Sequence, residues 1–216
     1  MQNCGGCGFP GCDGLAAAIA AGTAPVNGCP VGGAPVADKI AAIMGVESGS
    51  SEKKVAFVKC KGTCDKTNVK YNYYGITDCS MVTVAPGSGE KACAYGCMGY
   101  GSCVKACQFD AIHVVDGVAV VDKEKCVACG KCVATCPKGL IELVPYKAEH
   151  LVQCSSHDKG PAVKKVCTAG CIGCTLCTKQ CEFDAIHMEN NVAVIDYEKC
   201  TNCGKCAAKC PAKVIQ

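Results

Sequence analysis

Two cysteine runs carry the clearest chemistry in this chain. Cys126-x2-Cys129-x2-Cys132-x3-Cys136-Pro137 and Cys200-x2-Cys203-x2-Cys206-x3-Cys210-Pro211 share one spacing. Two-residue gaps wrap a tight loop around an object whose corners lie close together, with backbone N–H groups turned towards the sulfurs. This spacing holds [4Fe–4S] cubes: the first three cysteines bind one cube and the fourth ligates its neighbour. Zinc needs only four tetrahedral ligands and does not account for a doubled eight-cysteine pattern.

The runs belong to an internal repeat. Cys93, Cys97, Cys103, Cys107, Phe109, Cys126, Cys129, Cys132 and Cys136 each recur 74 residues later, and Phe109-Asp-Ala-Ile-His113 recurs verbatim as Phe183-Asp-Ala-Ile-His187. Repetition of this kind sets the organisation of the chain. In the second copy Cys171, Cys174, Cys177 and Cys210 form one ligand set, and Cys200, Cys203, Cys206 and Cys181 another. In the first copy Cys126, Cys129, Cys132 and Cys107 match the second of these. The remaining site is broken, because Tyr100 stands where the repeat expects a cysteine. Upstream, Cys4-x2-Cys7-x4-Cys12-x16-Cys29-Pro30 supplies four more thiols with no ferredoxin spacing, and the glycines between them allow close backbone approach.

Nine cysteines are left: Cys60, Cys64, Cys79, Cys93, Cys97, Cys103, Cys136, Cys154 and Cys167. They suffice for two cubes with one thiol over. One grouping joins Cys93 to Cys97, Cys103 and Cys136, and sets Cys60, Cys64 and Cys79 with Cys154 or Cys167. Another joins Cys60, Cys64, Cys79 and Cys93, leaving three ligands beside Tyr100. The sequence leaves both open, and the expected total is five or six [4Fe–4S] clusters, with six preferred.

Composition agrees with a metal-filled interior. Cysteine makes up 25 of 216 residues, aromatics are 5% and Trp is absent. A cysteine content above roughly 8–10% marks disulfides or metal. A secreted disulfide scaffold is disfavoured by the odd count, the C-x2-C spacing and the lack of a leader before Cys4, so a reducing cytosol is expected. The formal charge is +3, all the cations are Lys, and Arg is absent. That sum counts every thiol as neutral. Ligating thiols are deprotonated, so the loaded protein is expected to be acidic. No basic stripe suggests nucleic acid, and no apolar run approaches a membrane span. No nucleotide-binding glycine motif or nucleophile–base pair is visible, so neither a small-molecule substrate nor a catalytic site is expected. The four histidines read as hairpin or loop residues, and Tyr71, Tyr73 and Tyr74 as cover for a cluster or as a strand.

These parts imply a small α+β fold dominated by its cofactors: an N-terminal iron–sulfur domain, then two tandem ferredoxin-like two-cluster modules. The expected boundaries are 1–47, a linker at 48–54, a first module at 55–147 with an insertion of about 20 residues, and a second module at 148–216. Short helices are expected over the Ala-rich stretch ending at Gly22 and over Val36 to Val46. A β-hairpin is expected in each module, turning at Asp116-Gly117 and at Asn190-Asn191.

The order of motifs resembles a known family. Asn3-Cys4-Gly-Gly-Cys7-Gly-Phe-Pro-Gly-Cys12-Asp-Gly-Leu-Ala, with Cys29-Pro30, is similar to the iron–sulfur domain found in the B subunits of Rnf electron-transport complexes. Cys93-Ala-Tyr-Gly-Cys97-Met-Gly-Tyr-Gly-Ser-Cys103, the segment ending at Asp78-Cys79, and Cys154 to Cys167 resemble the long, anaerobe-type form of that family. The resemblance implies that Cys4, Cys7, Cys12 and Cys29 hold one cluster. It also implies an electron-transfer subunit of an ion-translocating ferredoxin:NAD⁺ oxidoreductase, taking electrons from reduced ferredoxin and passing them to other subunits. Family members begin with a membrane helix that is not found here. A truncated soluble piece, normally anchored at the cytoplasmic face, would explain the difference. The competing readings are a free-standing polyferredoxin, the electron-entry subunit of a soluble hydrogenase-like complex and, from another class, a zinc-binding interaction module.

Overall fold

The computed structural model describes residues 3–49 and 52–216. Ser50 and Ser51, in the middle of the expected linker, lie outside the described residues, as do Met1 and Gln2 at the start of the first expected domain. Lys54, assigned to the linker from sequence, instead opens the first strand.

The N-terminal segment is two helices. Helix α1 (Cys12–Ala20) begins on a cysteine and buries Leu15 and Ile19. Helix α2 (Gly33–Met44) starts three residues before the expected Val36, because Pro35 is compatible with a first turn and does not break it. It ends at Gly45, which caps it in the left-handed region with φ 67°.

The rest is built from short pieces: strands β1 (Lys54–Val58), β2 (Ile112–Val115), β3 (Val118–Val121), β4 (Ile141–Pro145), β5 (Ile186–Glu189) and β6 (Val192–Ile195), with short helices α3 (Cys79–Val82), α4 (Ser102–Ala106), α5 (Lys131–Thr135), α6 (Gly160–Val166) and α7 (Leu176–Lys179) between them and α8 (Lys205–Lys209) after the last. Three two-stranded antiparallel sheets result: β1 with β4, β2 with β3, and β5 with β6. The two hairpins form where the turn residues predict. Asp116 and Gly117 sit at φ 48° and 77°, and Asn190 and Asn191 at φ 46° and 67°, the double positive φ of a type I′ turn.

The second copy keeps the β1–β4 pairing in shortened form. Val152 bridges Ile215, and Leu151 N–H donates to Gln216 O at 2.7 Å. Apolar packing is divided accordingly. One cluster gathers Val55, Val58, Ile112, Ile141 and Val144; a second gathers Val152, Ile186, Ile195, Val214 and Ile215. Tyr197 packs against both, which joins the two copies. Cysteines line each cluster, including Cys103 and Cys126 in the first and Cys171 and Cys177 in the second. Ile112 is 2% exposed at the centre of the first. Ile112→Ala should therefore lower stability by about 3 kcal/mol, the usual cost of such a cavity. Anaerobic denaturant unfolding of the metal-loaded protein measures it.

Candidate functional site

Five cavities, with free space of about 330 to 410 Å³ including the open mouth, are each lined by four cysteines. Three of these sets are those grouped from sequence. Cys181, Cys200, Cys203 and Cys206 share one cavity; Cys107, Cys126, Cys129 and Cys132 another; Cys171, Cys174, Cys177 and Cys210 a third. These three and a fourth, lined by Cys97, Cys103 and Cys136, are each framed by a short helix, α5 (Lys131–Thr135), α7 (Leu176–Lys179), α8 (Lys205–Lys209) or α4 (Ser102–Ala106), beside a hairpin. A left-handed residue, Gly101, Gly130, Thr175 or Gly204, precedes each helix and turns the cysteine loop into it.

The nine remaining cysteines sort differently from either grouping read from sequence. Cys79 lines a cavity with Cys97, Cys103 and Cys136, so it, and not Cys93, faces the site left short by Tyr100. Local hydrogen bonds bring it there. Cys79 opens helix α3 (Cys79–Val82), capped by Asp78, whose side chain accepts from Ser80 N–H. Ser102 Oγ accepts from Cys79 N–H at 2.8 Å and donates to Asp78 at 2.9 Å, tying the insertion to the turn before Cys103. Tyr100 packs edge-on against Tyr73 with ring centroids 5.6 Å apart. Burial, reinforced by Glu90, pushes its phenol up to about 12. Tyr73 packs with Tyr100 against Cys79, Val82 and Met98, whereas Tyr74 is 90% exposed and no strand forms over residues 71–74.

The fifth cavity lies between the two copies. Cys60, Cys93, Cys154 and Cys167 line it. They are two equivalent pairs, one from each copy. Their hydrogen bonds are equivalent too. Cys60 Sγ accepts from Gly62 N–H at 3.4 Å and Cys97 N–H at 3.3 Å; Cys154 Sγ accepts from Ser156 N–H at 3.5 Å and Cys171 N–H at 3.3 Å. The copies are held together around it by Asn68 N–H to Val166 O at 3.0 Å and Thr168 N–H to Lys66 O at 2.9 Å. The repeat could have pointed to this site, since Cys60 matches Cys154 and Cys93 matches Cys167, but only the packing brings the pairs together.

Cys64 lines none of these cavities and is exposed. In the N-terminal segment Cys12 opens α1 and the chain turns back to Cys29, with Gly28 packed against Leu15. Cys29 Sγ accepts from Gly32 N–H at 3.3 Å. Cys4, Cys7, Cys12 and Cys29 are all half-exposed. A Cβ on Gly6 would come within 2.8 Å of Cys129 Cβ, so this segment lies against the Cys126–Cys132 loop.

The donor chemistry fits iron–sulfur clusters. Each of the five cavities is lined by four thiols, and backbone N–H groups already point at many of the sulfurs. Ala56 donates to Cys126 at 3.3 Å, Leu140 to Cys136, Ala185 to Cys181 and Val214 to Cys210, the last three at 3.4 Å. Burial, then neighbouring thiols, pushes Cys103 up to about 12. Burial first also raises Cys132, Cys154 and Cys177 to about 11. Such thiols give up their protons to a metal, which supplies the missing positive charge. Among the described residues no three His, Cys, Asp or Glu side chains close on a single point, as one ion requires. Gln153 Oε1 is buried on the inter-copy cavity without a hydrogen-bond partner. Of the histidines, His150 lines the Cys181 cavity, while His187 is held by Glu189 at 2.8 Å.

Comparison with known families places this chemistry. Residues 1–31 match the family described as "Putative Fe-S cluster", 119–142 the "4Fe-4S binding domain" and 170–215 the "4Fe-4S dicluster domain". The chain is an iron–sulfur protein: a small mixed α and β fold with an Fe–S domain followed by ferredoxin-type 4Fe–4S domains. It is 52% identical over 214 residues to the B subunit of the Na(+)-translocating ferredoxin:NAD(+) oxidoreductase complex of Acetobacterium woodii, covering 99% of this chain and 64% of that relative. It is 47% identical over 215 residues to the B subunit of the ion-translocating oxidoreductase complex of Methanosarcina acetivorans, covering 81% of that protein. It is 43% identical over 217 residues to the B subunit of the proton-translocating ferredoxin:NAD(+) oxidoreductase complex of Clostridium ljungdahlii, covering 76%. The chain belongs to this family, the B subunits of the ion-translocating Rnf oxidoreductase complexes. Among the described residues no helix is long and apolar enough to cross a membrane.

Proposed function

We propose that the chain is a six-centre relay that passes single electrons from reduced ferredoxin to other subunits of a membrane-bound, ion-translocating ferredoxin:NAD⁺ oxidoreductase. The observation that carries this is the sorting of the cysteines. Five cavities take twenty and the N-terminal set takes four, leaving Cys64 alone. When bound, [4Fe–4S] clusters supply one-electron chemistry at potentials set by burial and N–H···S bonds. The relatives' names, which include ferredoxin and NAD(+), support the donor and acceptor classes.

The polypeptide's part is to hold six sites in a row. Gly6 sets the N-terminal site against Cys129. Helices α4 and α5 each carry ligands of two sites, Cys103 with the following Cys107 and Cys132 with the following Cys136. Cys97 belongs to the Cys79 site and donates its N–H to Cys60 of the inter-copy site, and Cys171 does the same for Cys154 from the other side. Helices α7 and α8 continue the row to the Cys200 site. No side chain in this row acts as a catalytic acid or base, and the protein acts through spacing and polarity.

Anaerobic analysis of purified protein should find about 24 iron and 24 sulfide per chain, absorbance near 400 nm, and bleaching on mixing with reduced ferredoxin. A colourless, zinc-loaded protein, or one that reduced ferredoxin leaves unbleached, overturns the reading.

A further inference from the structure

Lys91 is 7% exposed and lines the cavity of Cys60, Cys93, Cys154 and Cys167. Its ammonium donates to Gly62 O at 3.0 Å and Gly117 O at 2.6 Å. Among the described residues no carboxylate pairs with it. An ammonium taken out of water without an anion is costly, and two carbonyls offset that only in part. A buried, unpaired cation is therefore evidence for a buried anion nearby. Four thiolates around a cluster supply one.

The surroundings of this cavity are more cationic than those of the others. Lys59 and Lys61 also line it, and Lys59 is paired with Glu142 at 2.9 Å. Burial, with Lys66 and Lys213 nearby, disfavours the charge on Lys61. Elsewhere Lys205 is paired with Glu182 and Lys131 is only half-buried, while Lys138 leaves the Cys79 cavity for Ala94 O at 2.7 Å, where it adds a second, more exposed positive charge near Cys93, Cys97 and Cys60. The remaining cavity, that of Cys171, has no lysine on its wall. Thr67 adds a hydroxyl 3.6 Å from Cys167 Sγ.

We propose that Lys91 is a redox-positioning residue: its buried ammonium is a counter-charge of the inter-copy centre and raises that centre's potential. This rests on the ligand set proposed above. A fixed positive charge stabilises the more negative, reduced form of an adjacent centre more than its oxidised form. The lysine holds no proton-transfer or ligand role, and acts through the field at the four sulfurs.

The test is potentiometric titration followed by electron paramagnetic resonance on the purified protein, comparing the unmodified chain with Lys91→Met, Lys91→Gln and Lys91→Arg. The signal of the inter-copy centre is assigned as the one lost in Cys93→Ala. In both neutral variants its reduced-to-oxidised ratio at the original midpoint should fall at least tenfold, ~59 mV for a one-electron couple. The midpoint of the Cys79 centre, whose Cys97 also feels Lys91, should shift less, the remaining midpoints should stay in place, and Lys91→Arg should retain the original value. An unmoved midpoint in a fully loaded neutral variant overturns the proposal. Loss of one cluster's iron from both neutral variants also overturns it, by making Lys91 a structural prop. If Cys93→Ala costs no iron and no signal, the ligand set itself has failed, which is a separate result.

Discussion

Cys79→Ala costs the protein iron at one centre, whereas Cys64→Ala costs none. Cys79 lies 18 residues upstream of Cys97, yet it is buried against Cys97, Cys103 and Cys136. Losing it should lower the iron content by one atom per chain if a three-iron centre survives, and by about four if the centre is lost. Cys64 is exposed and faces Gly117 outside the cavities, so its alanine variant should keep the full iron content and spectrum. Iron analysis of the two variants side by side reads the difference. Equal iron in both, or loss from Cys64→Ala alone, sinks the assignment.

The second large effect concerns the fold itself. Anaerobic removal of iron should abolish the cooperative thermal transition, measured by calorimetry or far-ultraviolet circular dichroism. The sheets are two-stranded, and isolated two-stranded sheets are marginal in water. The helices that follow the cysteine loops span only four or five residues, too short to hold themselves. Cysteines form part of both main apolar clusters and face the cavities. Domain stabilities are only about 5–15 kcal/mol, and binding of a structural metal can supply a comparable amount. A chelated chain that still melts sharply would show that apolar packing alone suffices.

Much of this was legible because the determinants are local. A type I′ turn needs two residues tolerant of positive φ, and Asp116-Gly117 and Asn190-Asn191 announce it. Ligands two residues apart on one loop are readable for the same reason. The helix expected from Val36 starts three residues earlier, at Gly33, because the two glycines and Pro35 ahead of Val36 carry no apolar periodicity that marks a first turn. The Cys79 site and the inter-copy site were not legible, since each depends on distant contacts. Cys79 is placed by the Asp78–Ser102 hydrogen bond, and Cys93 meets Cys167 only because Asn68 and Lys66 pair with Val166 and Thr168. No spacing rule encodes such contacts.

The inter-copy site has a mechanical consequence. With Cys60, Cys93, Cys154 and Cys167 on one cluster, the centre becomes a cross-link that closes long chain loops, as a disulfide does, and restricts the unfolded chain accordingly. Neither copy alone supplies more than half of the ligands. During synthesis, therefore, this centre can be completed only after Cys167 has emerged, while the N-terminal four-thiol set is complete once Cys29 has emerged. Maturation acquires an order: the inter-copy set closes after the first-copy sets and before the two that need Cys206 and Cys210, and that middle step is the one that locks the two copies into a single unfolding unit.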